Sequence, residues 1–249
     1  MPKPLTNKQV DKILNKFLAA LPDEISEYVI TLPIFGKSLA HPFCRVMGLP
    51  TYIIQLKWTP ETIVDMVAEQ KSLFHDYCAK GEFENALDFV DLAYRAEYLS
   101  TLISEYGVEA LYPAICVVWR SVESISRDSD IWNEIWGAVG ECEGGQKGVM
   151  GAANRKKFNA MPELLTIYRG FSLEGAEFGW SWTLDRKMAE WFARRYTGKP
   201  KVATLTISKG AVLAYIGQRK ESEIVIHPDY IGEDAIIEVL DVLDMSEAA

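Results

Sequence analysis

Lys220-Glu221-Ser222-Glu223-Ile224-Val225-Ile226 sets two carboxylates, two residues apart, at the mouth of an apolar run of β-type residues. Pro228 stops the run, and the polar turn Gly217-Gln218-Arg219-Lys220 precedes it. Together they predict a strand over 223–226. On a strand, Glu221 and Glu223 share a face. Close carboxylates tend to raise one pKa, which Arg219 and Lys220 oppose. Taken alone, the pair is the solvated start of a strand.

Upstream, the pattern has period two as far back as Pro162. Leu164-Leu165-Thr166-Ile167-Tyr168-Arg169-Gly170 reads as a strand ending in glycine, and Gly179-Trp180-Ser181-Trp182-Thr183 as a second. A helix follows, capped by Thr183 or Asp185, with Met188, Trp191, Phe192 and Tyr196 as its apolar stripe. Val202–Ile207, Ala211–Ile216 and Ala235–Leu243 read as further strands. The expectation is an α+β protein, with an antiparallel-rich sheet behind a helical N-terminal region. Gly137–Ala153, with six glycines, reads as a linker or mobile loop. It divides the chain into a helical region, 1–150, and a second domain, 151–249.

The first 150 residues show helices without visible chemistry. Thr6 caps a helix with Val10, Ile13, Leu14, Phe17 and Leu18 at helical spacing. Asp23–Pro50 reads as loops or short elements, and Tyr52–Leu56 as a short strand. Thr59-Pro60-Glu61 opens a helix that Gly81 interrupts. A second long helix runs from Ala86 past Leu102, and a third, Ala110–Val122, is apolar on most sides. Ile131 to Trp136 form a short fourth. Trp119, Trp132 and Trp136 read as core, and His41 and His75 as isolated packing residues.

The chain has 249 residues and a formal charge of −9. Residues 1–150 carry 13 Lys/Arg against 21 Asp/Glu, and residues 151–249 carry 13 against 14. Such a balance does not attract phosphate backbones nonspecifically. The basic pairs of the second part, such as Lys156-Lys157 and Arg194-Arg195, are compatible with a local anion-binding surface. None of the four cysteines forms a C-x-x-C pair, no Cys/His spacing fits a metal site, and Cys78 and Cys116 read as small core residues. With no apolar h-region or membrane-length run, the expectation is a soluble, cytoplasmic protein without membrane association or metal.

Three polar marks stand in order: Tyr168-Arg169-Gly170, then Ser181-Trp182-Thr183 before a helix, then Glu221-Ser222-Glu223 before a β run. Over Thr166–Val242 this order resembles the Arg-Ser-Glu class of mono-ADP-ribosyltransferases, which includes bacterial toxins, phage-encoded enzymes and vertebrate arginine-specific members. The second motif departs from the commoner Ser-Thr-Ser form by its tryptophan. The resemblance implies a split β-sheet domain that breaks the nicotinamide–ribose bond of NAD and passes ADP-ribose to a macromolecule. It implies that Glu223 stabilises the developing positive charge and holds a ribose hydroxyl. Ser181 would fix the rotamer of Glu223, and Arg169 would pair with an NAD phosphate. Gly170 would let backbone groups reach the nicotinamide amide. Tyr168, Thr183 and Phe192 complete the NAD-binding set, with Thr183 also supporting the strand or capping the helix. Glu221 would accept the nucleophile's proton, which favours protein arginine as acceptor. Transfer to RNA or DNA, NAD glycohydrolysis, and an inactive binding module on the same fold are the alternatives. The acidic N-terminal region is expected to recognise a target, to control the site or to bind a basic neutralising partner.

Overall fold

A computed structural model describes residues 5–122, 125, 127–173, 176, 178–195, 197–217, 221–231 and 238–241. The architecture is α+β, with two antiparallel sheets among these residues. The chain divides into two compact units. One comprises Met1–Leu102 and Val117–Ser124, the other Ile103–Cys116 and Ile125–Ala249.

In the first unit, α1 (Asn7–Leu18) starts at Thr6, whose backbone N–H donates to the side chain of Gln9, and buries Leu14 and Phe17. After α2 (Asp23–Ser26), the segment expected as loops forms a three-stranded meander of β1 (Val29–Leu32), β2 (Gly36–His41) and β3 (Cys44–Val46). Short strands with mixed faces carry too weak an alternation to register in the sequence. Tyr52–Leu56, expected as a strand, lies mostly in helix α3 (Leu49–Gln55). Gly48 takes a left-handed turn (φ 71°), Pro50 sits in the first helical turn, and Leu49 and Ile53 bury one turn apart. Helix α4 (Pro60–Ala79) begins as expected at Thr59, whose hydroxyl accepts from the Thr62 N–H. The expected second long helix is two, α5 (Phe83–Leu87) and α6 (Arg95–Tyr106). Asp91 breaks it: its backbone N–H donates to Pro42 O, and its carboxylate accepts from Ala93 N–H.

Helix α7 (Val108–Ser121) belongs to the second unit as far as Cys116, and in that unit α8 (Ser129–Glu141) buries Trp132 and Trp136. The glycine-rich stretch expected as a linker is largely helical and packed. It carries the end of α8, α9 (Gly145–Val149) and the start of α10 (Ala152–Asn159). Its glycines serve contact: a Cβ on Gly148 would lie 2.3 Å from the Tyr112 ring, and one on Gly145 2.0 Å from Val139 O. Because α8, α9 and α10 all pack on one edge of the C-terminal sheet, this compact unit does not begin at residue 151.

That sheet contains β4 (Leu164–Phe171), β5 (Ser181–Thr183), β6 (Lys201–Ser208), β7 (Val212–Ile216), β8 (Glu223–Ile226) and β9 (Glu238–Asp241). Their order is β7-β8-β5-β4-β6-β9. Only four residues of the expected last strand are described. β4 and β6 pair along eight residues, whereas β4 and β5 meet at the single pair Tyr168↔Thr183. The sheet is therefore two three-stranded halves hinged at one point. Helix α11 (Arg186–Arg195) packs on β4, β5 and β6. Its buried residues are Ala189 and Ala193, while Trp191 of the expected stripe is 54% exposed and Tyr196 lies outside the described residues. Gly170 explains the difference. A Cβ there would stand 1.8 Å from Ala189 O, so the helix backbone lies directly on β4 and large side chains cannot fit between.

Candidate functional site

Arg169, Ser181 and Glu223 are brought together across three adjacent strands. β8 pairs with β5 through Ser181↔Val225 and Thr183↔Glu223, so Ser181 stands diagonal to Glu223 on one face. The Ser181 hydroxyl donates to Glu223 Oε1 at 2.6 Å, a short bond to a half-buried carboxylate. Trp182 points to the opposite face, 2% exposed, and its indole N–H donates to Gly179 O at 2.7 Å. The bulky tryptophan thereby anchors the loop that leads into β5.

Beyond the Tyr168↔Thr183 pair, the next ladder partner of Ser181 on β4 would be Gly170. The Arg169 guanidinium takes that place, its Nη1 donating to Ser181 O at 2.6 Å and its Nε to Ala176 O at 2.8 Å. The rigid fork suits two carbonyls at once. Gly179 makes room for it, since a Cβ there would lie 2.3 Å from the guanidinium carbon. Arg169 thus holds the β4–β5 loop and the start of β5, and through Ser181 it is linked to Glu223. Its two carbonyl contacts differ from the phosphate pairing that the resemblance implies.

Glu221 does not share a strand with Glu223. β8 starts at Glu223, and Ser222 adopts a left-handed conformation (φ 47°), which breaks the alternation. Two bonds fix this turn: the Thr183 hydroxyl donates to Glu221 O at 2.5 Å, and Leu184 N–H donates to Ser222 O at 3.1 Å. The same hydroxyl accepts from Asp185 N–H at 3.0 Å, and of the two expected caps it is Asp185 whose carboxylate accepts from Lys187 N–H, at 2.9 Å, in the first turn of α11. Tyr168 is half-buried beside the split. Phe192 is half-buried on α11, edge-on to Trp191 at 5.0 Å. The bare face of Gly170 is met by α11. Arg219 and Lys220 lie outside the described residues.

Ala176, Gly179, Leu184 and Ser222 were not singled out by sequence. Gly179 alone carried a signal, a glycine directly before an aromatic strand start. Backbone partners and a left-handed serine leave none. A cavity of about 320 Å³ in this unit lies elsewhere, between Val139, Gln146, Leu213 and Tyr230, and includes none of the three motifs. Among the described residues no group of His, Cys, Asp and Glu is placed to hold a metal ion, and no helix is long and apolar enough to cross a membrane. Comparison with protein-family models, curated proteins and solved structures found no match.

Proposed function

We propose that the chain is an NAD-dependent mono-ADP-ribosyltransferase that carries its chemistry on the C-terminal sheet and modifies a guanidinium acceptor. The observation that carries this reading is the connected set Arg169–Ser181–Glu223, assembled on neighbouring strands from residues 54 positions apart. A structural role alone gives no reason for a half-buried carboxylate to be held by a serine that is itself held by an arginine.

The residues suit a substrate whose ribosyl carbon gains positive charge as its bond to nicotinamide breaks. Glu223, fixed by Ser181, supplies a preorganised negative charge beside the split in the sheet. The nicotinamide nitrogen leaves with the bonding pair, and a guanidino nitrogen of the acceptor supplies the pair for the new bond to carbon. The proton it gives up goes to the Glu221 carboxylate. Arg169 positions β5. Thr183 positions the turn before β8.

The test is incubation with NAD labelled in the adenosine portion, in the presence of a cell lysate divided between protease and nuclease treatment. The expected result is nicotinamide release with label in protease-sensitive material. Label in nuclease-sensitive material moves the acceptor to nucleic acid, and free ADP-ribose alone makes water the acceptor. No consumption of NAD overturns the reading.

A further inference from the structure

Thr183 and Ser222 form a feature separate from the Arg169–Ser181–Glu223 set. Thr183 is 5% exposed, directly opposite Glu223 in the β5–β8 ladder. Its hydroxyl nevertheless turns to the carbonyl of Glu221, outside the strand. Leu184, the next residue, donates its N–H to the carbonyl of Ser222. Two successive residues of β5 and its exit thus grip two successive carbonyls of a turn whose centre is a left-handed serine. A non-glycine residue in that conformation persists only when its surroundings over-determine it. Gly217, just after β7, is tied too: its N–H donates to Asn154 Oδ1 at 3.2 Å.

We propose that Thr183 is a positioning residue that latches the Glu221–Ser222 turn, so that its hydroxyl sets how ADP-ribose is divided between a guanidinium acceptor and water. The proposal rests on the function proposed above. Glu223 is held independently, by Ser181, so cleavage of NAD and delivery to the acceptor are supported by different contacts. Release of the latch leaves Glu223 in register while Glu221, which takes the acceptor's proton, loses its fixed place. Water, abundant and undirected, then competes for the same ribosyl carbon.

The test compares Thr183→Val, which keeps shape and removes the hydroxyl, with Thr183→Ser, which restores it. NAD and agmatine, a soluble guanidine, are the substrates. Nicotinamide release measures cleavage, and labelled agmatine measures transfer. In Thr183→Val the ratio of transfer to hydrolysis is expected to fall about tenfold, the loss of one hydrogen bond of about 1.4 kcal/mol. Thr183→Ser restores the ratio. Ser222→Val, which strains the turn from its other side, reproduces the fall, and Ser222→Gly does not. Amide exchange at Leu184 speeds up in Thr183→Val. A wild-type ratio in Thr183→Val, or unchanged Leu184 exchange, overturns the latch. Equal loss of cleavage and transfer with a raised KM points to general damage and also overturns it. If the wild-type protein releases no nicotinamide, the proposed function fails, and Leu184 exchange alone judges the contact.

Discussion

At the scale of single residues, the centre of the account is the 2.6 Å bond from Ser181 to Glu223. A hydrogen bond to a charged group contributes about 1.5–3 kcal/mol, which is about 10- to 150-fold in rate if it is fully expressed in the transition state. Ser181→Ala is therefore expected to lower kcat for nicotinamide release by that factor, with KM for NAD nearly constant. A raised KM at unchanged kcat would place Ser181 in substrate binding instead. The sequence shows which residue types stand in which order, so Arg169, Ser181 and Glu223 were legible together. It does not show backbone partners. The carbonyls of Ala176 and Ser181, which hold Arg169, belong to residues whose side chains say nothing about that role. For the same reason Glu221 was expected to share a strand face with Glu223: serine gives no warning of a left-handed turn.

At the scale of elements, strands with strong period-two patterns were legible nearly to the residue. β4, β6, β7 and β8 are the cases, and each alternates or runs apolar between turn residues. The meander β1–β3 was not legible, because β1 and β2 are partly exposed on both faces and β3, which does alternate, is only three residues long. The glycine-rich stretch misled for a physical reason. Glycine marks close approach as well as flexibility, and Gly145 and Gly148 lie against Val139 and Tyr112. Gly170 shows the same effect at the site, since its missing Cβ lets α11 lie on β4. Gly170→Ala is expected to destabilise the protein by about 3 kcal/mol, the upper range for overpacking, because the clash is with backbone and cannot relax by a rotamer change. Chemical denaturation measures this. A loss under about 0.5 kcal/mol, the size of a neutral surface change, would show that the helix does not depend on the glycine.

At the scale of the whole molecule, two compact units divide the chain, and the three motifs lie in the second. The first unit carries an acid-sensitive point. His41 is 8% exposed, its Nδ1 accepts from Phe43 N–H at 3.1 Å, and its ring lies edge-on to Tyr28. Burial, and secondarily the Lys71 charge, hold its pKa below the usual 6.5. The folded state favours the neutral ring, so its stabilising contribution is full above pH 6.5 and is lost as pH falls through the lower folded value. Thermal unfolding followed from pH 7.5 to 5 should show a falling midpoint, and a shallower fall in His41→Gln. Equal slopes would assign the acid sensitivity to other groups. The most direct test of the account is nicotinamide release from NAD by the wild-type protein and by Glu223→Ala, both verified as folded by circular dichroism. The account predicts steady release by the wild type and a loss of about 10³-fold in the variant, as for removal of a preorganised electrostatic group. Equal release by both proteins would contradict it.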